Sequence, residues 1–494
     1  MLTILNYLNM EQLKLQPESV FNYFFQICAI PHGSKNEAQI SAYLQNFGKE
    51  LGYETIADEV GNVLIKKPAY PGYENRKTII LQGHMDMVCD KRPDVEHDFT
   101  KDPIRTFVDG EWLKAQGTTL GADNGIGVAA AMAVLADKDL KHGPVNCLFT
   151  IDEETGLTGA EKLTSEFLQG DILVNLDSED DGEMFIGCAG GVCNYAEFTH
   201  GWVAVPQGYF FLKVDINSLT GGHSGDDINK NRANANKLMA RFINRVAAKW
   251  DCYLCEISGG SLHNAIPRDA SEVIAVPSAD KEAVRVEFNI FAAEVQAEYS
   301  ATEPTARFTM QSTDAVENAI DRESTKKLLL SLQAVFNGVY AMSDDMPGLV
   351  ETSSNLASVK RTGENKILVT ASQRSSVESA RDNVSATVRA AFELGGAVVT
   401  TSGGYPGWKP NVKSEILKVA CDTYKELFAA EAKIKAIHAG LECGLFLEKA
   451  PQLDMISFGP TMRGVHSPDE RLDIASTERW WRHLVALLEK APQK

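Results

Sequence analysis

Hydrophobic and polar positions along the chain follow two rhythms. Between Pro17 and Ile30 apolar residues recur at helical spacing, and "NEAQISAYLQNFGKELGY" continues as an amphipathic helix stopped by glycine. Apolar runs of strand length come next: "NVLIKK", "KTIILQG", "VNCLFTI" and "DILVNLD". Between them lie the helix "GIGVAAAMAVLAD" and the turn–helix "LTGAEKLTSEFL". Strands and helices in alternation predict an α/β layer with a mostly parallel sheet.

The pattern changes near Cys188 to Pro206. From Tyr209 to about Gln311 the order is strand "YFFLKVDI", helix "NANKLMARFINRVAAK", strands "CYLCEIS" and "SEVIAVP", helix "KEAVRVEFNIFAAEVQAEY" and strand "ARFTMQ". This βαββαβ order is the ferredoxin-like split motif. Between Ser324 and Thr401 a helix, two strands, a helix and a strand predict a second α+β unit beside it. After the Gly/Pro-rich connection "SGGYPGWKPN", helix "SEILKVACDTYKELFA" and strands "AKIKAIHAG" and "DMISFGP" resume the α/β style, and a last helix runs from Thr477 to about Ala491. The simplest architecture is an α/β domain, residues 1–190 and 403–494, interrupted by an α+β insertion, residues 191–402.

Composition narrows the function classes. The 494 residues carry 48 basic and 67 acidic side chains, a net charge of −19, which argues against nucleic acid or an anionic membrane surface as partner. No apolar run is long enough to span a bilayer. The nine cysteines are odd in number and show no disulfide framework, which points to a reducing, cytoplasmic compartment. Cys252 and Cys255 form one C-x-x-C, but they sit in a strand with neither a following helix N-terminus nor a second pair, so they read as two strand cysteines. The opening "MLTILNYLNM" lacks a basic segment and a cleavage site, and Met10 begins a more ordinary start; the first nine residues read as an extension or an upstream start.

Candidate chemistry collects at the ends of strands. "IILQG" leads into His84 and Asp86, "CLFTI" into Glu153 and Glu154, "ILVNL" into Asp177, and "DMISFGP" is followed shortly by His466. In open parallel sheets the functional crevice lies outside the carboxyl ends of the strands. Asp123 in "GADNGIG" precedes a helix and can point into the same crevice. Each element alone reads equally as a surface pair, a solvated turn or a helix cap. Acids and imidazoles converging from separate strands are the makings of a metal site. "GIGVAA" imitates a dinucleotide fingerprint, but polar "GADN" stands where a strand should precede it.

With these residues in hand, "GHMDMV", "GADNGIG", "DEETGLTGA", "LDSE" and "GPTMRGVHSPDE" resemble the metal-site motifs of the dinuclear zinc peptidases related to carboxypeptidase G and aminoacylase. More narrowly, "HAGLECG", "SSNLASV" and "SQRSS" are similar to the aminoacyl-histidine dipeptidase (cytosol non-specific dipeptidase) branch. The resemblance implies two zinc ions, with cobalt or manganese able to replace them, bridged by Asp123. His84 and Asp177 would hold one ion, and Glu154 and His466 the other. Asp86 would fix the other ring nitrogen of His84, and Glu153 would be general base and then acid. Asp152 is left as a structural residue or an orienter of the loop.

The resemblance also makes the insertion a lid. His223 in "LTGGHSGDD" would stabilise the oxyanion, in cis or from the partner in a homodimer formed through the lid. Asn355 and Arg374 would bind the substrate carboxylate, for which the arginine fork is suited; a strand-face ion pair is the other reading of Arg374. Asn264 and Glu442 stand between substrate contact and, respectively, turn former and surface acid, while His263 and His438 are expected to pack. The implied activity is hydrolysis of unmodified dipeptides, Xaa-His among them. An amidase on N-acyl amino acids, a tripeptidase and a non-catalytic metal-binding scaffold are the rivals. Glu153 argues against the last, because binding needs ligands but no free base.

Overall fold

The computed structural model describes residues 15–494, so the reading of the first nine residues lies outside the described residues. The chain forms two compact units. One holds the residues up to Gly187, Pro410–Ala436 and Glu442–Lys494; the other holds Cys188–Lys409 and Ile437–Leu441. The inserted unit thus runs past the expected boundary at 402 and takes back a short segment of the C-terminal part. Backbone pairing explains both: Cys188 and Trp408 exchange hydrogen bonds of 2.9 Å, and Ala189 N–H donates to the carbonyls of Ile437 and Ala439 at 3.1 and 2.9 Å.

Before the interruption the first unit contributes β1 (Glu54–Ala57), β2 (Val63–Lys67), β3 (Ile79–His84), β4 (Val145–Thr150), β5 (Ile172–Asn175) and β6 (Glu183–Cys188). The second contributes β7 (Gly190–Thr199), β8 (Tyr209–Asn217), β9 (Tyr253–Gly259), β10 (Ala270–Pro277), β11 (Arg307–Ser312), β12 (Val350–Arg361), β13 (Lys366–Ser375) and β14 (Val398–Tyr405). After it come β15 (Lys433–Ile437) and β16 (Asp454–Ser457).

The first unit's sheet has the order β1-β2-β4-β3-β5-β16-β6-β15. Its centre, β4-β3-β5-β16, is parallel, with antiparallel pairs β1–β2, β2–β4 and β16–β6 on the flanks. Every residue of β3, β4 and β5 is buried, as strands covered on both faces require, which is why they read as unbroken apolar runs. The helix Ala122–Ala136 is buried on nearly all sides, its Ala and Gly positions allowing close approach to β3 and to the helix Glu18–Cys28.

Two features differ from the sequence pattern. "LTGAEKLTSEFL" is two short pieces, Thr158–Lys162 and a 3-10 turn Ser165–Leu168, parted by the extended Leu163. A small antiparallel sheet of Thr106–Asp109, Trp112–Ala115, Arg471–Asp473 and Met462–Arg463 has strands too short to leave a periodicity. It anchors both ends of the loop that carries His466 and Glu470.

The inserted unit is built on one nine-stranded sheet, whose main path is β11-β8-β10-β9-β12-β13-β7-β14. Strands β8 to β11 with the helices Ala235–Lys249 and Lys281–Glu298 form the expected βαββαβ unit, in the spatial order fourth-first-third-second. Strands β7, β12, β13 and β14 with the helices Arg322–Ala334 and Glu378–Leu394 repeat the same connectivity and the same spatial order. The first half is inserted after β7 of the second. The two meet edge to edge where Gly259 of β9 pairs with Val359 of β12, and one apolar core runs beneath both.

Candidate active site

The parallel centre of the first unit ends in a knot of acids and imidazoles. Three ligand groups have their donor atoms within 4.8 Å of one another: His84–Asp123–Asp177, Asp123–Glu154–His466 and His84–Glu153–Glu154. The first two share Asp123. Its Oδ1 lies 3.1 Å from His84 Nε2, and its Oδ2 lies 3.1 Å from His466 Nε2. Asp177 Oδ1 approaches His84 Nε2 at 3.4 Å, and Glu154 Oε2 approaches His466 Nε2 at 3.0 Å. Glu154 Oε1 is buried without a hydrogen-bond partner among the described residues. No Lys or Arg of the described residues pairs with Asp123, Glu153, Glu154 or Asp177, so the histidines are their one compensation.

Neighbouring acids hold the ligands in place. Asp86, 1% exposed, lies 3.3 Å from His84 Nδ1 through Oδ1. The same carboxylate accepts the backbone N–H groups of Glu153 (3.0 Å) and Glu154 (3.3 Å) and the Ser34 hydroxyl (2.8 Å). One side chain therefore ties His84, a candidate ligand, to the turn bearing both glutamates. Asp152 stands in the left-handed region at φ 49° and accepts from Lys35 Nζ and the hydroxyls of Thr155 and Thr158, pinning the turn from its other side. Glu470, in the "HSPDE" run but absent from the residues singled out by sequence, accepts four backbone N–H bonds from Leu120 to Asp123.

Electrostatics follow from the crowding. Burial holds the Glu153 carboxyl well above the usual carboxylate range; His84 opposes this, and Asp177, Glu442 and Glu154 add to it. Hydrogen bonds to Asp123 and Glu154 raise His466 to about 11. Glu442 is 2% exposed rather than a surface acid, because it enters the helix Glu442–Lys449 pointing inward. It accepts from Gln82 Nε2 at 2.7 Å and Thr150 Oγ1 at 3.0 Å, and burial pushes it up to about 8.

A second set of groups assembles wholly within the inserted unit. Arg374, 7% exposed on β13, donates from Nη1 to the Tyr405 hydroxyl at 2.8 Å and from Nε to Ser224 Oγ at 3.4 Å. Its Nη2 lies 3.5 Å from His223 Nε2. Among the described residues no carboxylate pairs with it, which removes the strand-face ion pair as its explanation. The backbone N–H groups of Gly225 and Asp226 face His223 Nδ1 from 3.3 Å, and Asp226 Oδ2 lies 3.5 Å from the same nitrogen.

Comparisons with known proteins turn this geometry into a family assignment. The model of peptidase family M20/M25/M40 matches residues 80–490. The chain belongs to that family. The cytosol non-specific dipeptidase of Escherichia coli is 42% identical over 484 residues, 98% of this chain and all of that protein. The solved structure of aminoacylhistidine dipeptidase from Vibrio alginolyticus superposes with a TM-score of 0.92 at 44% identity, covering 97% of this chain and 98% of the other. Aminopeptidase PepT from Bacillus cereus, at 16% identity with a TM-score of 0.58, covers 97% of this chain and 99% of the other and shares the fold.

Within this M20/M25/M40 peptidase the sequence-selected residues sort by what they touch. The structure brings His84, Asp123, Glu153, Glu154, Asp177 and His466 together, with Asp86 behind them. Asn355 is 1% exposed and gives its amide to the Ala265 carbonyl at 2.8 Å, with Asn234 on its oxygen, which ties it to the 264–265 turn. Asn264 contributes its carbonyl to Ser224 N–H at 2.8 Å, which docks the His223 loop. His263 is exposed and does not pack, whereas His438 is buried with Nε2 2.7 Å from the Ser353 hydroxyl. None of the nine cysteines, Cys252 and Cys255 included, forms a disulfide. No helix among the described residues is long and apolar enough to cross a membrane.

Proposed function

We propose that this chain is a metal-dependent dipeptidase that cleaves unmodified dipeptides, Xaa-His included, with two divalent cations, zinc foremost. The carrying observation is the pair of three-ligand groups that share Asp123, set among carboxylates that no Lys or Arg neutralises. Such a patch is costly to bury unless cations compensate it, and the unpartnered Glu154 Oε1 fits the same need. His84 and Asp177 would hold one ion, Glu154 and His466 the other, and Asp123 both. Bound ions of this kind polarise a carbonyl and lower the pKa of a water.

The chain's own residues supply the rest. Glu153 belongs to neither group that shares Asp123, which leaves it to take a proton from the attacking water and return it to the leaving amine. His223 donates to the developing oxyanion. Arg374, a buried guanidinium whose bonded partners are neutral, receives the terminal carboxylate. His223 and Arg374 meet inside one chain's inserted unit, with His223 Nε2 3.5 Å from Arg374 Nη2. The names of the two close relatives, both dipeptidases and one of the cytosol, support the substrate class and a cytoplasmic location.

The test is a screen of alanyl-alanine, its N-acetyl form and trialanine, with metal content measured on the same preparation. Fast hydrolysis of the free dipeptide alone, with about two zinc ions per chain, is expected. A preference for the N-acetyl form would make the protein an N-acyl amino acid amidohydrolase, and a preference for trialanine a tripeptidase. Metal binding without hydrolysis of any of the three would make it a scaffold.

A further inference from the structure

The geometry points to Tyr405 as a second carboxylate-binding residue, whose phenol hydroxyl donates to the substrate's terminal carboxylate beside Arg374. The inference rests on the reading of Arg374 as the carboxylate receptor. It starts from sheet register. In the inserted unit β7 lies between β13 and β14, and Gly191 of β7 pairs with Arg374 on one side and with Tyr405 on the other. Residues in one row across a sheet project to the same face, and the middle one here has no side chain. The guanidinium can therefore reach across the glycine to the phenol, where Nη1 donates to the hydroxyl at 2.8 Å.

The placement of Tyr405 is built, not incidental. The β14–β7 register shifts between Ser402 and Tyr405, with Gly403 at φ 66° in the irregular stretch. Bulges of this kind re-aim the side chain that follows. A Cβ on Gly191 would lie 2.6 Å from the Tyr405 hydroxyl, and a Cβ on Gly440 would lie 2.8 Å from the ring. Two glycines thus make the slot the ring occupies. Arg381 fixes the backbone from the other side, donating to the Tyr405 carbonyl at 2.7 Å.

The chemistry follows from donors and acceptors. The hydroxyl oxygen already accepts from Arg374, and among the described residues no acceptor takes the hydroxyl's own proton. Burial raises the phenol above its ordinary range, so it stays protonated and able to donate. A guanidinium and a phenol donor side by side, with no carboxylate of the described residues paired to the arginine, form a site for a planar anion that accepts from both. A terminal carboxamide offers one acceptor oxygen and sets an NH2 donor against the other group, so it matches the pair of donors less well.

The test compares L-alanyl-L-alanine with its C-terminal amide on the zinc-loaded protein as wild type, Tyr405→Phe, Arg374→Ala and the double variant. Phenylalanine keeps the ring in its slot, and an unchanged unfolding midpoint and metal content verify that. Tyr405→Phe should lower kcat/KM for the acid by about 10- to 100-fold, the scale of one hydrogen bond to a charged group, and change the amide less than about 2-fold. Without Arg374, Tyr405→Phe should still reduce what acid preference is left. Equal losses on acid and amide, or no loss on the acid, would overturn the role of Tyr405 while the arginine stands. A phenylalanine effect that vanishes in the Arg374→Ala background would reduce Tyr405 to an orienter of the guanidinium and overturn direct contact. If Arg374→Ala lowers kcat/KM for acid and amide by the same factor, the carboxylate site itself falls, and Tyr405 with it.

Discussion

Glu470 carries the Asp123 turn on one carboxylate, and Glu470→Gln measures what that grip is worth. Oε2 accepts from the N–H groups of Leu120 at 2.7 Å and Gly121 at 3.0 Å; Oε1 accepts from Ala122 at 2.8 Å and Asp123 at 3.2 Å. The side chain is 3% exposed, so water does not take over these bonds. Glutamine keeps one acceptor oxygen and turns an NH2 group toward two of the four donors. Two buried N–H groups then lose their acceptor, at about 1–3 kcal/mol each, or on the order of 2–6 kcal/mol together. The chain can relieve this by letting the turn move, and Asp123, a member of both candidate cation groups, moves with it.

Since about 1.4 kcal/mol is tenfold in an equilibrium constant, even the low end of that range predicts zinc binding weakened about tenfold or more. Competition with a chromophoric chelator reads this directly. Thermal unfolding with and without zinc separates the two effects: the zinc-loaded variant should lose more of its midpoint than the metal-free one. Glu470→Gln that binds zinc as tightly as wild type and unfolds within a degree of it would refute the reasoning, and the turn would then be held by its packing alone.

Two further outcomes check other steps. Glu153→Ala should lose on the order of 10²-fold or more in turnover while keeping both metals, whereas Glu154→Ala should lose metal; elemental analysis showing the reverse would exchange the two roles. Glu272, 2% exposed on the core face of β10 with Oε2 unpartnered among the described residues, is pushed up to about 8 by burial. A carboxyl raised in the folded state binds its proton more tightly than the unfolded chain does. Stability should therefore fall as pH rises from about 4.5 toward 8, by up to about 5 kcal/mol, and level off above. Glu272→Gln should flatten that slope in urea titrations at pH 5, 7 and 9; an equal slope in both proteins would show that another group carries it.

Much of the candidate ligand set was legible because His84, Glu153, Glu154 and Asp177 follow apolar runs that read as buried strands, whereas Asp123 stands at a helix start and His466 on a loop. β3, β4, β5 and β16 are neighbours in the sheet, so residues just past their ends converge without any further instruction. Groups that act on the backbone left no such mark. Glu470 serves four N–H donors that are the same in every sequence, and nothing in the pattern around it sets it apart. Glu442 stands in the sequence between a substrate contact and a surface acid, because a helix N-terminus favours acids on either face, and only the fold places Gln82 and Thr150 before it. The small sheet around Arg471–Asp473 was silent because strands of two to four residues show no alternation.

The second half of the inserted unit was half legible, for a reason that bears on its use. Its first strand, Gly190–Thr199, is parted from its first helix, Arg322–Ala334, by the whole of the other half, so no local pattern joins them. Without that strand, Arg374 and Tyr405 have no common neighbour, and the sequence puts them on separate elements. With it, they stand on either side of Gly191 in one sheet. The other half supplies His223, on the loop after β8, which reaches the same guanidinium within 3.5 Å. Two copies of one α+β motif, joined at β9 and β12, thus contribute different groups to one cluster.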